Sequence, residues 1–166
     1  VLINGRFPRF AYTAIDAIYY GADLNAKVRF KPFELGVQGA VVRAYNADNG
    51  EFLLFIPSDR VQTELTYHLP EFGTASDPYL AVNGQYVARQ YNVSSEADFA
   101  PVPDGYMLLG ARIGSAFKLN QQRYTFDLEV QNALNTEYRD YTSMLRYYAA
   151  EPGMQAFIRF GTELSL

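Results

Sequence analysis

Six side chains between Asn135 and Gly153 carry most of the recognition chemistry in this chain: Tyr138, Arg139, Tyr141, Arg146, Tyr147 and Tyr148. A guanidinium offers N–H donors in a fixed fork, and a tyrosine offers a flat face with a hydroxyl at its tip. Such a set suits ligand binding by an exposed loop, the ligand being a flat or anionic small molecule such as a metal chelate. The same residue types also build the aromatic belt of a membrane interface, with arginines turned towards lipopolysaccharide. The sequence supports both uses.

A second group is charged and spread over several segments: Arg89, Arg112, Asp127, Glu129, Arg159 and Glu163. These suit the lining of a polar lumen. There they serve a conduction path or a plug, or they compensate one another as cross-strand ion pairs. His68 is the single histidine and has no partner at ligand spacing, whereas a zinc site takes about four ligands. Asn46-Ala-Asp-Asn-Gly-Glu51 holds two carboxylates among turn formers and lacks the spaced ligand set of a calcium loop; it reads as a hairpin tip. No nucleophile–base pair, phosphate-cradling glycine loop or carboxylate pair in an apolar pocket emerges. The expectation is a non-enzyme with no cofactor and no metal site. A net charge of -4 argues against a general nucleic-acid role, and the absence of cysteine excludes disulfides and thiolate metal sites.

Strands must position these groups. Between Met154 and Leu166, Met154, Ala156, Ile158, Phe160, Thr162, Leu164 and Leu166 fall on one face. Gln155, Phe157, Arg159, Gly161, Glu163 and Ser165 fall on the other, Phe157 being the one misfit. Successive side chains of a strand point to opposite faces, and about ten residues of tilted strand cross a bilayer. The alternation recurs over 20–30, 35–41, 61–69, 80–89, 107–119 and 124–131, and part of Val1–Tyr12 offers an eighth strand, broken by Pro8. No segment shows a helical period, and no run of about 18 apolar residues exists. Because the chain starts at Val1 rather than Met, it reads as mature, trimmed or fragmentary.

The connections add independent information. Those at 31–33 and 120–122 are short and that at 70–78 is intermediate, while 43–59, 91–104 and 135–153 are long. Long and shorter connections alternate strictly, as in outer-membrane barrels with short periplasmic turns and long extracellular loops. The predicted fold is all-β: an antiparallel up-and-down meander of about seven or eight strands, residues 1–166 forming one segment of a transmembrane β-barrel. Leu109, Ile113, Phe126, Leu128, Val130, Ile158, Phe160 and Leu164 would face lipid, which tolerates no charge. Pairing Leu119 with Tyr124 would set Phe117 against Phe126 and Ile113 against Val130. It would also place Arg112 diagonal to Glu129 and Lys118 diagonal to Asp127. Gly110 and Gly114, inside a strand, suggest curvature or a close plug contact.

At this level the chain resembles a family. Tyr19-Tyr-Gly-Ala-Asp23, Phe99-Ala-Pro-Val-Pro-Asp-Gly-Tyr-Met-Leu-Leu-Gly-Ala-Arg112, Leu128-Glu-Val-Gln-Asn-Ala-Leu-Asn-Thr-Glu-Tyr-Arg-Asp-Tyr141 and Glu151-Pro-Gly-Met154 are similar, in order and spacing, to the C-terminal third of TonB-dependent outer-membrane receptors. The third carries the pattern "N-x-[LF]-N-x-x-Y". Two departures stand out: Leu166 takes the place of a terminal aromatic, and the chain holds about a third of a 22-stranded wall. The resemblance implies a Gram-negative outer membrane and uptake of a siderophore-like metal chelate or another scarce small-molecule nutrient. It also implies three partners: lipopolysaccharide and lipid, a plug domain absent from this chain, and the TonB energy-coupling protein. Two other readings fit the residues: a self-contained eight-stranded outer-membrane barrel with a structural or adhesive role, and a soluble lipocalin-like binding module.

Overall fold

A computed structural model describes residues 14–94, 98–119 and 122–162. Seven strands make one sheet: β1 (Ala17–Phe30), β2 (Phe33–Asn46), β3 (Arg60–His68), β4 (Ala75–Val87), β5 (Tyr106–Leu119), β6 (Gln122–Gln131) and β7 (Gln155–Thr162). Each strand pairs antiparallel with the next in chain order, so the sheet is an unbroken up-and-down meander. All seven strands expected from the two-residue period are present. β2 runs on to Asn46, and β4 starts at Ala75, inside what the sequence suggested was a connection. The eighth expected strand, in Val1–Tyr12, lies outside the described residues, as do Glu163 and Leu164. The only described helical turn is a short 3-10 turn, Met144–Tyr147, in the last long connection.

Register keeps like with like. One row crosses the sheet as Val28, Leu35, Leu65 and Val82, and the next as Ala26, Val37, Thr63 and Gly84. On the far strands Ile113, Leu128 and Ile158 lie side by side. These rows share one face of the sheet, and their large side chains are open to the surroundings: Ile158 is 72%, Phe160 65% and Leu24 59% exposed. Fully buried apolar residues are few and mostly small, such as Ala44, Ala81 and Ala116. Among the described residues the sheet has no second layer against which to bury its apolar face, which is how a soluble β-domain is built.

Aromatic residues bracket that face. Near the short turns, Phe30, Phe33 and Tyr67 form one chain of ring contacts at 5.8 and 5.0 Å. Phe117, Tyr124 and Phe160 form another at 5.8 and 5.7 Å. At the end with the long connections, Tyr20 meets Tyr45 edge-on at 6.3 Å. Mostly aliphatic residues, with Tyr86 among them, fill the band between.

The register of β5 and β6 differs from the sequence expectation by two residues. Phe117 lies opposite Tyr124, Ile113 opposite Leu128, and Arg112 directly opposite Glu129. A shift of two leaves every side chain on its own face, so apolar patterning cannot distinguish the two registers. Lys118 consequently faces Arg123 rather than approaching Asp127. The glycines also have a different explanation. A Cβ at Gly114 would meet the Tyr79 ring at 2.7 Å and the Asp127 carboxylate, and one at Gly110 would meet the Asn83 carboxamide at 2.6 Å. Both glycines make room for side chains of neighbouring strands.

Candidate functional site: a clasped loop cluster above a polar face

The three long connections, 47–59, 88–105 and 132–154, emerge at the same end of the meander. The last is built on two asparagines with left-handed backbone, Asn132 at φ 48° and Asn135 at φ 52°, a conformation asparagine tolerates better than most residues. The Asn132 carboxamide donates to the Thr136 carbonyl at 2.9 Å and accepts from the Thr136 N–H at 2.8 Å. The Asn135 side-chain oxygen accepts from the Met154 N–H at 2.9 Å, closing the base of the loop. The asparagine motif is therefore a backbone staple.

Above the staple, Tyr138 packs on Tyr106 with ring centroids 4.4 Å apart, and the Tyr106 hydroxyl donates to Asp140 at 2.7 Å. Asp140 also accepts from the Thr142 N–H at 2.8 Å. The 3-10 turn then delivers Arg146 into the interior of the cluster. Its side chain is 1% exposed and that of its partner Asp98 is 5% exposed. Arg146 Nη2 donates to Asp98 Oδ2 at 2.6 Å and to the Tyr147 hydroxyl at 2.9 Å, and that hydroxyl donates to Asp98 Oδ1 at 2.9 Å. The guanidinium carbon lies 4.4 Å from the Tyr147 ring centre, 4.7 Å from Tyr141 and 5.8 Å from Phe55. Among the described residues Arg146 Nε and Nη1 have no hydrogen-bond acceptor; ring faces surround the cation instead.

One buried cation thus joins all three connections: Phe55 from the first, Asp98 from the second, and Tyr141, Arg146 and Tyr147 from the third. Gln90 reinforces the tie, its buried carboxamide donating to the carbonyls of Ile56 and Pro57 at 3.0 and 3.3 Å. Burial pushes the Asp98 carboxyl up, but the bonds from Arg146 and Tyr147 outweigh it and hold the group below its ordinary range. Burial, with the bond to Asp98, pushes the Tyr147 hydroxyl up to about 12.

Of the six loop residues singled out by sequence, three form this clasp. Tyr138 packs at the loop base, and Arg139 donates to the Arg146 carbonyl. Tyr148 is 57% exposed, beside the exposed Met144 and Leu145. The hairpin tip at Asn46–Glu51 is a tight turn in which the side-chain oxygens of Asn46 and Asn49 accept the N–H groups of Asp48 and Glu51 at 2.9 and 3.0 Å.

Below the cluster, the face opposite the apolar rows is polar and encloses a cleft of about 430 Å³ lined from β1 through β6. Most of its charges are paired. Arg112 pairs with Glu64 at 3.2 Å, Arg159 with Glu129, and Lys27 and Arg29 with Glu34 at 2.8 and 2.5 Å. Asp127 accepts from the Tyr79 hydroxyl. The Arg159 guanidinium carbon also sits 5.7 Å from the Phe157 ring centre, so the apolar misfit of the last strand serves as a cation platform. Asn25, Gln38, Gln62 and Gln85 stand directly opposite one another on four successive strands, an uncharged amide row across the cleft. Arg89 lies just past β4 and pairs with Asp104 at 2.8 Å, while His68 ends β3 opposite Tyr79. Arg43 is a charge on the apolar side, at its outer end beside Tyr20, neutralised by Asp59 at 2.5 Å.

No protein-family description matches the chain, and no curated protein matches it by sequence. Among solved structures the fold is similar to part of a protein named copper transporter OprC. The TM-score is 0.72 over 89% of this chain at 16% identity. The match spans 24% of that protein. The likeness shows that this sheet is a fold found within a much longer chain.

Sequence reasoning missed Asp98, Phe55 and Gln90. Asp98 lies 48 residues from Arg146, and no local pattern links the two. It also missed the aromatic brackets, although the positions of Phe30, Phe33, Tyr67, Phe117 and Tyr124 at strand ends were a usable signal.

Proposed function

We propose that the chain is part of the wall of an outer-membrane transport barrel of the TonB-dependent receptor kind, serving uptake of a metal chelate or similar scarce nutrient. The observation that carries this reading is the single-layer sheet itself. Its apolar side chains lie open between aromatic brackets, while its charges, most of them paired, gather on the other face. Lipid accepts the first face and a watered lumen the second. Among the described residues β1 and β7 do not touch. The name of the structural neighbour, a copper transporter, supports a metal-bearing cargo. The clasped loops supply a pre-ordered outer surface, with Tyr148 and Arg139 at its rim. A plug and an energy-coupling protein complete the machine in this reading.

Alternate cysteine labelling tests the wall, since the chain has no cysteine of its own. In native membranes, Ile158→Cys should resist a charged maleimide and Arg159→Cys should react. The opposite result would sink the barrel reading in favour of a soluble fold with an apolar interior. Cargo is tested by uptake of radiolabelled iron chelates, cobalamin and copper in cells with and without the gene. Loss of none of the three would overturn the transport assignment.

A further inference from the structure

We infer that the apolar face carries a seat for one lipid acyl chain, centred on Gly39; this rests on the reading that the face meets lipid. Across β1 to β4 one apolar row runs Leu24, Gly39, Val61, Tyr86 in direct register. Three bulky side chains flank a position that has none. The result is a groove of about 370 Å³ whose walls are Ala22, Leu24, Val41, Val61 and Tyr86, within the range of about 300–1,000 Å³ typical of small-molecule sites. Asp23, Ala40 and Arg60 of the intervening row also line it, with Ala88 and Asp59.

The position of the groove names its occupant. It lies in the aliphatic band between the Tyr20–Tyr45 contact and the Phe30–Phe33–Tyr67 contacts, where the surrounding medium is hydrocarbon. Its outer end is Asp59, held by Arg43 through two parallel bonds of 2.5 and 2.8 Å. A bidentate pair of this kind neutralises itself, and Asp23 and Arg60 of the lining carry opposite charges, so the formal charge around the groove sums to zero. The seat therefore selects an acyl chain and is indifferent to whether the headgroup is anionic or zwitterionic.

Gly39→Leu fills the groove without disturbing the sheet. An added Cβ there meets only the Arg60 carbonyl oxygen at 3.8 Å and Leu24 Cβ at 3.9 Å, ordinary contact distances. Gly36→Ala is the control on the polar face, where the nearest atom is the Glu64 carbonyl oxygen at 3.9 Å. The experiment is native mass spectrometry of the full-length protein, released into mild detergent from vesicles of phosphatidylethanolamine and phosphatidylglycerol. The parent and Gly36→Ala should each retain one lipid, of either headgroup equally. Gly39→Leu should lose at least tenfold of that occupancy. Equal retention by all three proteins, no retention by the parent, or strict preference for one headgroup overturns the seat. A dimer in the parent that vanishes in Gly39→Leu assigns the groove to a second copy and also overturns it. Failure of the underlying reading shows separately, as ready maleimide labelling of Ile158→Cys.

Discussion

Replacing Arg146 with alanine removes the one cation shared by three loops and leaves the Asp98 carboxylate, 5% exposed, without its ion partner. Breaking a buried pair from one side costs about 3–5 kcal/mol, most of it the penalty of a stranded charge. At about 1.4 kcal/mol per decade, the opening equilibrium of the cluster should rise by roughly two to three and a half decades. The assay is amide hydrogen exchange on the protein in bilayers, read separately over 47–59, 88–105 and 132–154. All three segments should exchange faster together while the middles of the strands stay protected, since strand pairing does not pass through the clasp. Combining Arg146→Met with Asp98→Leu removes both charges and should restore most of the protection. Tyr148→Ala, at an exposed position, should change little. Acceleration confined to 132–154 would refute the idea of a shared clasp. Acceleration as large in the double variant as in Arg146→Ala would refute charge burial as its source.

Acid should open the same cluster. The Asp98 carboxyl is held below its ordinary range, so its contribution is complete above the unfolded value and is lost as pH falls through the folded one. Protection of the three loops, taken relative to the intrinsic exchange rate at each pH, should be flat from neutral pH down to about 4, then fall steeply below it; a fall centred near pH 6 would point to another group. Ile158→Arg, on the apolar face opposite Leu128, should lower folding stability in vesicles by about 2–4 kcal/mol, measured by urea titration. An unchanged midpoint would place that row outside the bilayer core. Gly114→Ala should cost about 1–3 kcal/mol, because the new methyl collides with the Tyr79 ring. Adding Tyr79→Ala should recover part of that loss in the same titration, and no recovery would break the proposed coupling.

Much of the architecture was legible because strand periodicity is local. Ile158 beside Arg159, or Leu128 beside Glu129, declares two faces within two residues. The alternation of short and long connections could likewise be read from where that period stops. What could not be read depends on partners far along the chain or on differences that periodicity ignores. The two-residue slip of β5 against β6 preserves every face, so only the turn distinguishes the registers. Arg112 has Glu129 directly opposite on β6, yet it pairs with Glu64 on β3, two strands away, and a two-residue period does not distinguish the two carboxylates. Arg146 illustrates the limit for function. By type it is an anion anchor, yet its burial depends on Asp98 and Phe55, which the sequence places in other loops.

The aromatic brackets also set a thickness. Tyr20 and Phe30 lie about ten residues apart on β1; at about 3.4 Å per residue and a tilt of about 45°, the band between them is about 24 Å tall. An average bilayer has a hydrocarbon core of about 30 Å, and each ångström of mismatch carries a small elastic cost. A wall of this height would pinch an average bilayer around itself, yet it would sit without distortion in the thinner outer membrane of a bacterium. On the proposed barrel reading, the spacing of two rings along one strand would act as a sorting signal, matching the protein to a membrane by depth rather than by address.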